Sequence, residues 1–202
     1  MIGLKEKFVI GICGQTCSGK TTLSRFLKEE FKLKGQVIEQ DEHFLREECI
    51  PILSTKSGKW RNYECPDAID WLKFTQKIRF EKKNENGEKF VIVEGFLLME
   101  NEIMHQLIDI LIVLENQSNQ VIYERKKSRN DEDFDFVAVD PSCFVDKIEI
   151  MKLYFEDVIL VEKEKWCSYH KFAKNKLFVE KHLEKEKVKE LVLNFIEKTI
   201  LN

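Results

Sequence analysis

Residues 14–21, with the sequence GQTCSGKT, constrain the fold more than any other part of the chain. They fit the pattern Gly-x-x-x-x-Gly-Lys-Thr and stand between the apolar run FVIGIC and a segment with helical spacing. In this pattern the two glycines let successive backbone N–H groups point at one anion, and the following helix adds its positive end. The sequence therefore predicts a phosphate-binding loop (P-loop) between a buried strand and a helix.

The chemistry of the loop side chains predicts their roles. Lys20 can reach the β- and γ-phosphates of a nucleotide, and the hydroxyl of Thr21 can bind Mg²⁺. A flexible Gly/Ser turn that ends in a helix cap is the alternative interpretation. The residues that we expect to contact the nucleotide are Gly14, Gln15, Thr16, Cys17, Ser18, Gly19, Lys20, Thr21 and Thr22.

Length and composition restrict the classes of protein to which the chain can belong. With 202 residues and a net charge of −3, it is expected to form a single domain, residues 1–202, without general affinity for nucleic acid. No apolar run is long enough to span a bilayer, and the N-terminus lacks a signal-peptide pattern. The six cysteines contain no Cys-x-x-Cys pair, which favours reduced thiols in a cytoplasmic protein over disulfides or zinc.

Predicted strands alternate with predicted helices, which indicates an α/β fold of the P-loop NTPase type, with a parallel sheet and helices on both faces. Residues 44–66 show little periodicity and are expected to form an irregular segment over a site. Five strands are predicted, at residues 7–12, 36–40, 90–96, 108–115 and 175–180. Helices are predicted at about residues 21–34, 66–80, 118–129, 145–162 and 184–199.

Two carboxylates follow or close predicted strands, at the edge of the sheet where ligands of such folds bind. Asp41 follows the second strand and could accept the proton of a substrate hydroxyl that attacks a γ-phosphate. Glu94 closes the third strand and could hold Mg²⁺ opposite Thr21. The alternatives are a turn or helix cap for Asp41 and a structural hydrogen bond for Glu94.

The basic end of the helix at residues 118–129 adds two arginines to the candidate nucleotide site. Arg125 and Arg129 lie four positions apart and share a helix face, from which a lid could stabilise the transferring phosphoryl group. A surface basic patch is the alternative. The GTPase motifs Asp-x-x-Gly and Asn-Lys-x-Asp are missing, because the third strand ends VEGF and the nearest later match is NKLF. This combination favours a small-molecule kinase.

Four segments together resemble a known family. GICGQTCSGKTTL, EQDEHF, NYECPDAIDW and VIVEGFLLME occur in the order and spacing of the uridine kinase-like P-loop kinases. Within that group DEHF, YECPDAID and EGFLL look most like the nicotinamide riboside kinases. The resemblance covers roughly residues 7–155. It implies a five-stranded parallel sheet with a substrate flap, at about residues 44–66, and a lid, at about residues 125–142.

The resemblance also implies roles for individual side chains. Asp41 matches the catalytic base, Phe44 the residue that stacks on the nucleobase, and Glu64 the carboxylate that binds the ribose diol. By matched position, Lys20, Thr21 and Glu94 serve ATP and Mg²⁺, Arg125 and Arg129 are the lid arginines, and Tyr63 and Lys126 belong to the substrate site.

Three departures from the family pattern concern the substrate site. Glu64 stands where aspartate is usual, and Lys126 where a second ribose-contacting arginine is common. Asp131 replaces an aromatic residue after the lid arginine, for which Phe134 or Phe136 could substitute. The resemblance therefore constrains the base specificity less than the other parts of the predicted site.

The resemblance implies an ATP- and Mg²⁺-dependent kinase that phosphorylates the 5′-hydroxyl of nicotinamide riboside, giving nicotinamide mononucleotide for NAD synthesis. Phosphorylation of uridine or cytidine by the same mechanism is the first alternative. A P-loop protein that binds a nucleotide and regulates a partner without catalysis is the second, although Asp41 and Glu94 speak against it. A small-molecule nucleoside is the expected partner, and a monomer or a homodimer is the expected state.

Overall fold

A computed structural model describes residues 7–35, 37–84, 88–115, 118–128, 137–144, 147–165, 171–172, 174–180 and 182–201. Seven strands lie in these residues. They are β1 (Phe8–Gly14), β2 (Ile38–Glu39), β3 (Ile52–Ser54), β4 (Lys59–Arg61), β5 (Phe90–Gly95), β6 (Ile110–Leu114) and β7 (Asn175–Val179). Five of the strands form a parallel sheet in the order β2-β5-β1-β6-β7, which confirms the predicted α/β fold.

The central strands are apolar because helices cover both faces of the sheet. Successive residues of β1 point to opposite faces, so Val9 belongs to one core cluster and Ile10 to another. The Val9 cluster includes Phe74 and Ile78 of the second helix, and the Ile10 cluster includes residues of the first and last helices. The helices are α1 (Lys20–Glu30), α2 (Trp71–Lys83), α3 (Glu102–Leu107), α4 (Asn119–Ser128), α5 (Lys147–Tyr154), α6 (Leu160–Lys165) and α7 (Lys185–Leu201).

Two helix boundaries differ from the sequence-based prediction. Helix α1 ends at Glu30 instead of Lys34, because Lys32 adopts a left-handed conformation with φ of 51° that stops the helix before Gly35. Helix α2 begins at Trp71 instead of Pro66, because the Asp70 carboxylate accepts a hydrogen bond from the backbone N–H of Lys73 and caps the helix there. In the described part of the chain, no helix has the length and apolarity needed to cross a membrane.

Three further differences concern elements near the site. Strand β2 ends at Glu39, and Asp41 lies in a 3₁₀ turn, Gln40–His43, that follows it. The helix predicted at residues 145–162 is divided by a π-helical turn, Phe155–Ile159, into α5 and α6. The short helix α3 was not predicted; its N-terminus is capped by the Asn101 side chain, which accepts a hydrogen bond from the N–H of Ile103.

The segment at residues 44–66 is more regular than predicted, because it contains the antiparallel hairpin β3–β4. Trp60 of β4 is fully buried, stacks on Phe144 at 5.1 Å between ring centroids, and meets Tyr154 edge-on at 5.9 Å. The Asp157 carboxylate in the π-helical turn accepts hydrogen bonds from the hydroxyls of Thr55 and Ser57 at the hairpin turn. The hairpin is therefore fixed to α5 and the π turn by both apolar and polar contacts.

Candidate active site

The P-loop follows β1 and takes the conformation that its glycines allow. Gly19 has φ of 103°, and a Cβ atom on Gly14 would lie 2.9 Å from the carbonyl oxygen of Leu114. Cys17 is also left-handed, with φ of 61°, and its side chain is buried in the same cluster as Trp60. A loop that holds a non-glycine residue in this conformation is strongly shaped by its surroundings.

The polar groups of the loop are directed inward. The Lys20 Nζ atom donates to the carbonyl oxygen of Gln15 at 3.0 Å. Burial lowers the pKa of Lys20, and the carboxylate of Asp41 opposes that shift. The Ser18 hydroxyl and the Gln15 side-chain amide are buried without a hydrogen-bond partner among the described residues. Such groups need polar partners, and a phosphate could accept hydrogen bonds from the Ser18 hydroxyl and from the Gln15 side-chain N–H groups.

Glu94 and Thr21 form the second part of the site. The Thr21 hydroxyl donates to Glu94 Oε1 at 2.9 Å, and the Glu94 residue is only 4% exposed. Glu94 Oε2 is buried with no hydrogen-bond partner among the residues that the structure describes. Burial raises the pKa of Glu94, and the hydrogen bond from Thr21 opposes this shift. Mg²⁺ prefers oxygen ligands such as a hydroxyl and a carboxylate oxygen, so Thr21 and Glu94 fit the ion.

Asp41 shares a pocket with Lys20, Thr21 and Glu94, so the structure brings these four predicted residues together. The turn that carries Asp41 is anchored by the neighbouring Gln40, whose buried side-chain oxygen accepts a hydrogen bond from the Leu97 N–H at 3.0 Å. The Asp41 side chain itself is exposed, as a residue that must meet a substrate from solution requires.

The same pocket contains a carboxylate that the sequence analysis missed. Glu39 lines the pocket beside Asp41, and in the β2–β5 pairing it stands opposite Glu94. In β2, Ile38 packs into the core and Glu39 points to the other face of the sheet, but two residues are too short an alternation to indicate this from the sequence.

The predicted acceptor residues lie on the hairpin side of this pocket. Phe44 and Tyr63 meet edge-on, with 5.1 Å between ring centroids. Glu64 is half-buried, and burial raises its pKa, while the ammonium group of Lys126 opposes the shift and the carboxylate of Asp41 adds to it. These electrostatic interactions place Glu64, Lys126 and Asp41 in one neighbourhood, although the sequence separates them widely.

The backbone around Glu64 is held by two hydrogen bonds. The Tyr63 N–H donates to the hydroxyl of Tyr154 at 3.3 Å, and the Glu64 N–H donates to the side-chain oxygen of Asn62 at 3.1 Å. A 3₁₀ helix, Pro66–Ala68, follows this segment, and the next α-helix starts at Trp71. Glu162 of α6, also missed by the sequence analysis, is buried and adds its charge to the surroundings of Glu64.

On the opposite side of the P-loop lies a cavity of about 390 Å³. Arg125 lines it, and its Nη1 atom donates to the carbonyl oxygen of Cys17 at 2.7 Å. The other walls come from α1, from the segment between β7 and α7 and from the first turns of α7, and they include Thr22, Phe26, Leu183 and Val188. Arg129 and residues 130–136, which the sequence assigns to the lid, lie outside the described residues.

The P-loop lies at the end of a parallel five-stranded sheet, and carboxylates from the ends of two further strands share a pocket with its lysine. This combination defines the chain as a P-loop kinase. Solved structures agree on the fold. A sugar kinase from Janibacter sp. aligns with a TM-score of 0.54 and 15% identity over 95% of each chain. A gluconokinase from Sinorhizobium meliloti aligns with a TM-score of 0.54 and 14% identity over 96% of this chain and 94% of that one.

Sequence comparison gives the family. The uridine kinase of Clostridium tetani is 30% identical over 143 residues, which cover 60% of this chain and 67% of that enzyme. The uridine kinase of Chlamydia pneumoniae is 28% identical over 145 residues, 58% of this chain and 61% of that enzyme. No protein-family model matches the chain. Its similarity to the Clostridium tetani enzyme shows that the chain belongs to the uridine kinase family.

Proposed function

We propose that this protein transfers the γ-phosphate of ATP to the 5′-hydroxyl of a ribonucleoside. The observation that carries the proposal is the pocket shared by Lys20, Thr21, Asp41 and Glu94. It combines a P-loop cation, a fitting pair of Mg²⁺ ligands and an exposed carboxylate that can act as a base. Phosphoryl transfer requires these groups because catalysis depends on positioning and on neutralising charge.

The proposed roles of the side chains follow from their positions. Lys20 exchanges its bond to the Gln15 carbonyl oxygen for contacts with the β- and γ-phosphates. Thr21 and Glu94 hold Mg²⁺, which when bound neutralises phosphate charge and orients the γ-phosphate. Asp41 accepts the proton of the 5′-hydroxyl as its oxygen attacks phosphorus. Each group acts on a different atom of the same transfer.

The adenosine part of ATP is assigned to the cavity of about 390 Å³ beside the P-loop. A cavity of this size fits the range of small-ligand sites, and the apolar side chains among its mixed lining, such as Phe26 and Leu183, suit a flat base. Arg125 lies between this cavity and the loop, where its guanidinium can meet the phosphates of the donor. The acceptor then approaches from the Asp41 side, so the two substrates meet at the γ-phosphate.

We propose nicotinamide riboside as the acceptor and nicotinamide mononucleotide as the product, which would feed NAD synthesis. Glu64 is assigned to the ribose diol, Phe44 and Tyr63 to the base, and Lys126 to the surrounding charge. The carboxylates of Asp41 and Glu162 act on Glu64, and the ammonium groups of Lys126 and Lys20 oppose them. The remaining excess of negative charge favours a nucleoside with a cationic ring. An aromatic pair beside such a ring adds a cation–π attraction.

Uridine is the second candidate acceptor, and the names of the sequence relatives favour it. Both candidates use the same phosphoryl-transfer groups and differ only at the base. A purely regulatory nucleotide-binding protein would not need the base, Asp41. The test of the proposed function is ADP formation by the purified protein with MgATP, with and without nucleoside. ADP release that depends on a nucleoside supports the kinase, whereas nucleotide binding without nucleoside-dependent turnover would overturn it.

A further inference from the structure

Glu39 is the one pocket carboxylate for which the proposed mechanism has no role. It lines the pocket together with Lys20, Thr21 and Glu94, and its side chain is half-buried. In the parallel pairing of β2 with β5, Glu39 and Glu94 are register partners. Register partners of neighbouring strands point to the same face of a sheet, and such strands lie about 4.8 Å apart. The two carboxylates are therefore side by side.

A pair of like charges at this position is unfavourable by itself. Like charges on register-partner positions of neighbouring strands repel each other, and Glu39 and Glu94 occupy such positions. Glu94 Oε2 is also buried without a partner among the described residues. Both the repulsion between Glu39 and Glu94 and the unpaired Glu94 oxygen would be relieved by a divalent cation. Such a cation would bind between the strand ends and the phosphate loop.

The backbone around Glu39 is well fixed for such a role. Its carbonyl oxygen lies 2.9 Å from the Nδ1 atom of His43, and the next residue, Gln40, is anchored to the Leu97 N–H. These contacts fix the backbone at the end of β2, so the fold defines where the Glu39 side chain starts and which face of the sheet it leaves. A surface carboxylate on a mobile loop would not be held in this way.

We propose that Glu39 acts with Glu94 as a second carboxylate of the Mg²⁺ site and that it strengthens binding of the metal–nucleotide complex. The inference rests on the proposed nucleotide site but not on the identity of the acceptor. It predicts opposite effects of Glu39 on metal-free and metal-bound nucleotide. Without metal, the carboxylate repels the phosphates, whereas with metal it attracts the cation that the phosphates carry.

The test measures the dissociation constant of ADP by calorimetry, first with EDTA and then with excess Mn²⁺, in the wild type and in Glu39→Gln. With EDTA, the variant should bind ADP as tightly as the wild type or more tightly. With Mn²⁺, it should bind about 10-fold more weakly, since loss of an outer ligand of a metal site costs about 10–100-fold in affinity. Glu39→Asp, which keeps the charge, should retain part of the metal effect.

Glu42→Gln is the matched control, because Glu42 is an exposed acid in the following turn and does not line the pocket. It should change neither dissociation constant. Three results for Glu39→Gln would overturn the role of Glu39. They are an ADP affinity equal to that of the wild type in both conditions, higher in both conditions, or lower to the same extent in both. Absence of ADP binding in the wild type itself would instead overturn the nucleotide site and the proposed function.

Discussion

The hydroxyl of Thr21 donates a hydrogen bond to Glu94 Oε1 at 2.9 Å, across a sequence separation of 73 residues. This bond joins the first turn of α1 to the end of β5, which pairs with β1 in the centre of the sheet. The P-loop and the carboxylate opposite it are therefore parts of one rigid structure. The predictions below test the groups that surround this bond.

Lys20→Ala should remove phosphoryl transfer without unfolding the protein. Among the described residues, the Lys20 ammonium group donates a hydrogen bond to the carbonyl oxygen of Gln15 in the loop. Loss of this bond should leave the core intact. A group that neutralises charge in the transition state contributes about 10²–10³-fold or more to the rate. The measurement is steady-state turnover together with the thermal midpoint. Arg25→Ala, which removes an exposed cation from the same helix, is the control, and equal activity of both variants would contradict the role of Lys20.

Asp41→Asn should lower kcat by about 10²–10⁴-fold, because the amide cannot accept the proton of the 5′-hydroxyl. The KM for the nucleoside should change much less, since the amide keeps the shape of the carboxylate. Initial rates over a range of nucleoside concentrations separate the two constants. The exposed Asp67 supplies the control variant Asp67→Asn. A raised KM with an unaffected kcat would show that Asp41 only binds or supports the turn.

Glu64→Ala should erase most of the preference for ribonucleosides over 2′-deoxynucleosides. A carboxylate can accept hydrogen bonds from both ribose hydroxyls, and a site built for a hydroxyl rejects analogues without it by up to about 10⁴-fold. We expect a smaller ratio here, because the site is half-buried and admits water. The specificity constants of a ribo/deoxy pair decide the question. The exposed flap variant Glu48→Ala is the control and should keep the wild-type ratio. If Glu64→Ala also keeps that ratio, Glu64 does not bind the diol.

Tyr154→Phe should weaken nucleoside binding although Tyr154 itself belongs to the core. Its hydroxyl accepts the Tyr63 N–H at 3.3 Å, and Tyr154 is 2% exposed, so the variant leaves a buried donor with one partner fewer. We expect a loss of about 1–2 kcal/mol in the free energy of unfolding, with a higher nucleoside KM and unchanged ADP affinity. Tyr123→Phe in the same cluster is the control. A loss of ADP affinity together with a raised nucleoside KM would indicate general damage instead.

The sequence was sufficient where a local pattern has one structural solution. Gly14 and Gly19 occupy backbone conformations that a P-loop requires, and the apolar run before Glu94 forms a buried central strand, so both were predictable. Asp41 and Glu94 were placed correctly at strand ends because parallel strands bring their carboxyl ends to one edge.

The rest of the site depends on contacts between distant segments. The left-handed Lys32 and the Asp70 cap moved helix boundaries by several residues, because local hydrogen bonds outweighed average propensity. The β3–β4 hairpin is held by Asp157, a residue about 100 positions away, so no local periodicity revealed it. Glu39 was missed because a two-residue strand carries too short an alternation to indicate which face its side chain occupies.

The most direct test of the central claim is ADP release by the wild-type protein with MgATP and each of four nucleosides. These are nicotinamide riboside, nicotinic acid riboside, uridine and cytidine, compared by kcat/KM. We expect the highest value for nicotinamide riboside, whose cationic ring suits the excess of negative charge on the acceptor side, and a lower value for nicotinic acid riboside, whose added carboxylate cancels the charge of the ring. A higher kcat/KM for uridine or cytidine would contradict the proposed acceptor, and no nucleoside-dependent ADP with any of the four would contradict the kinase itself.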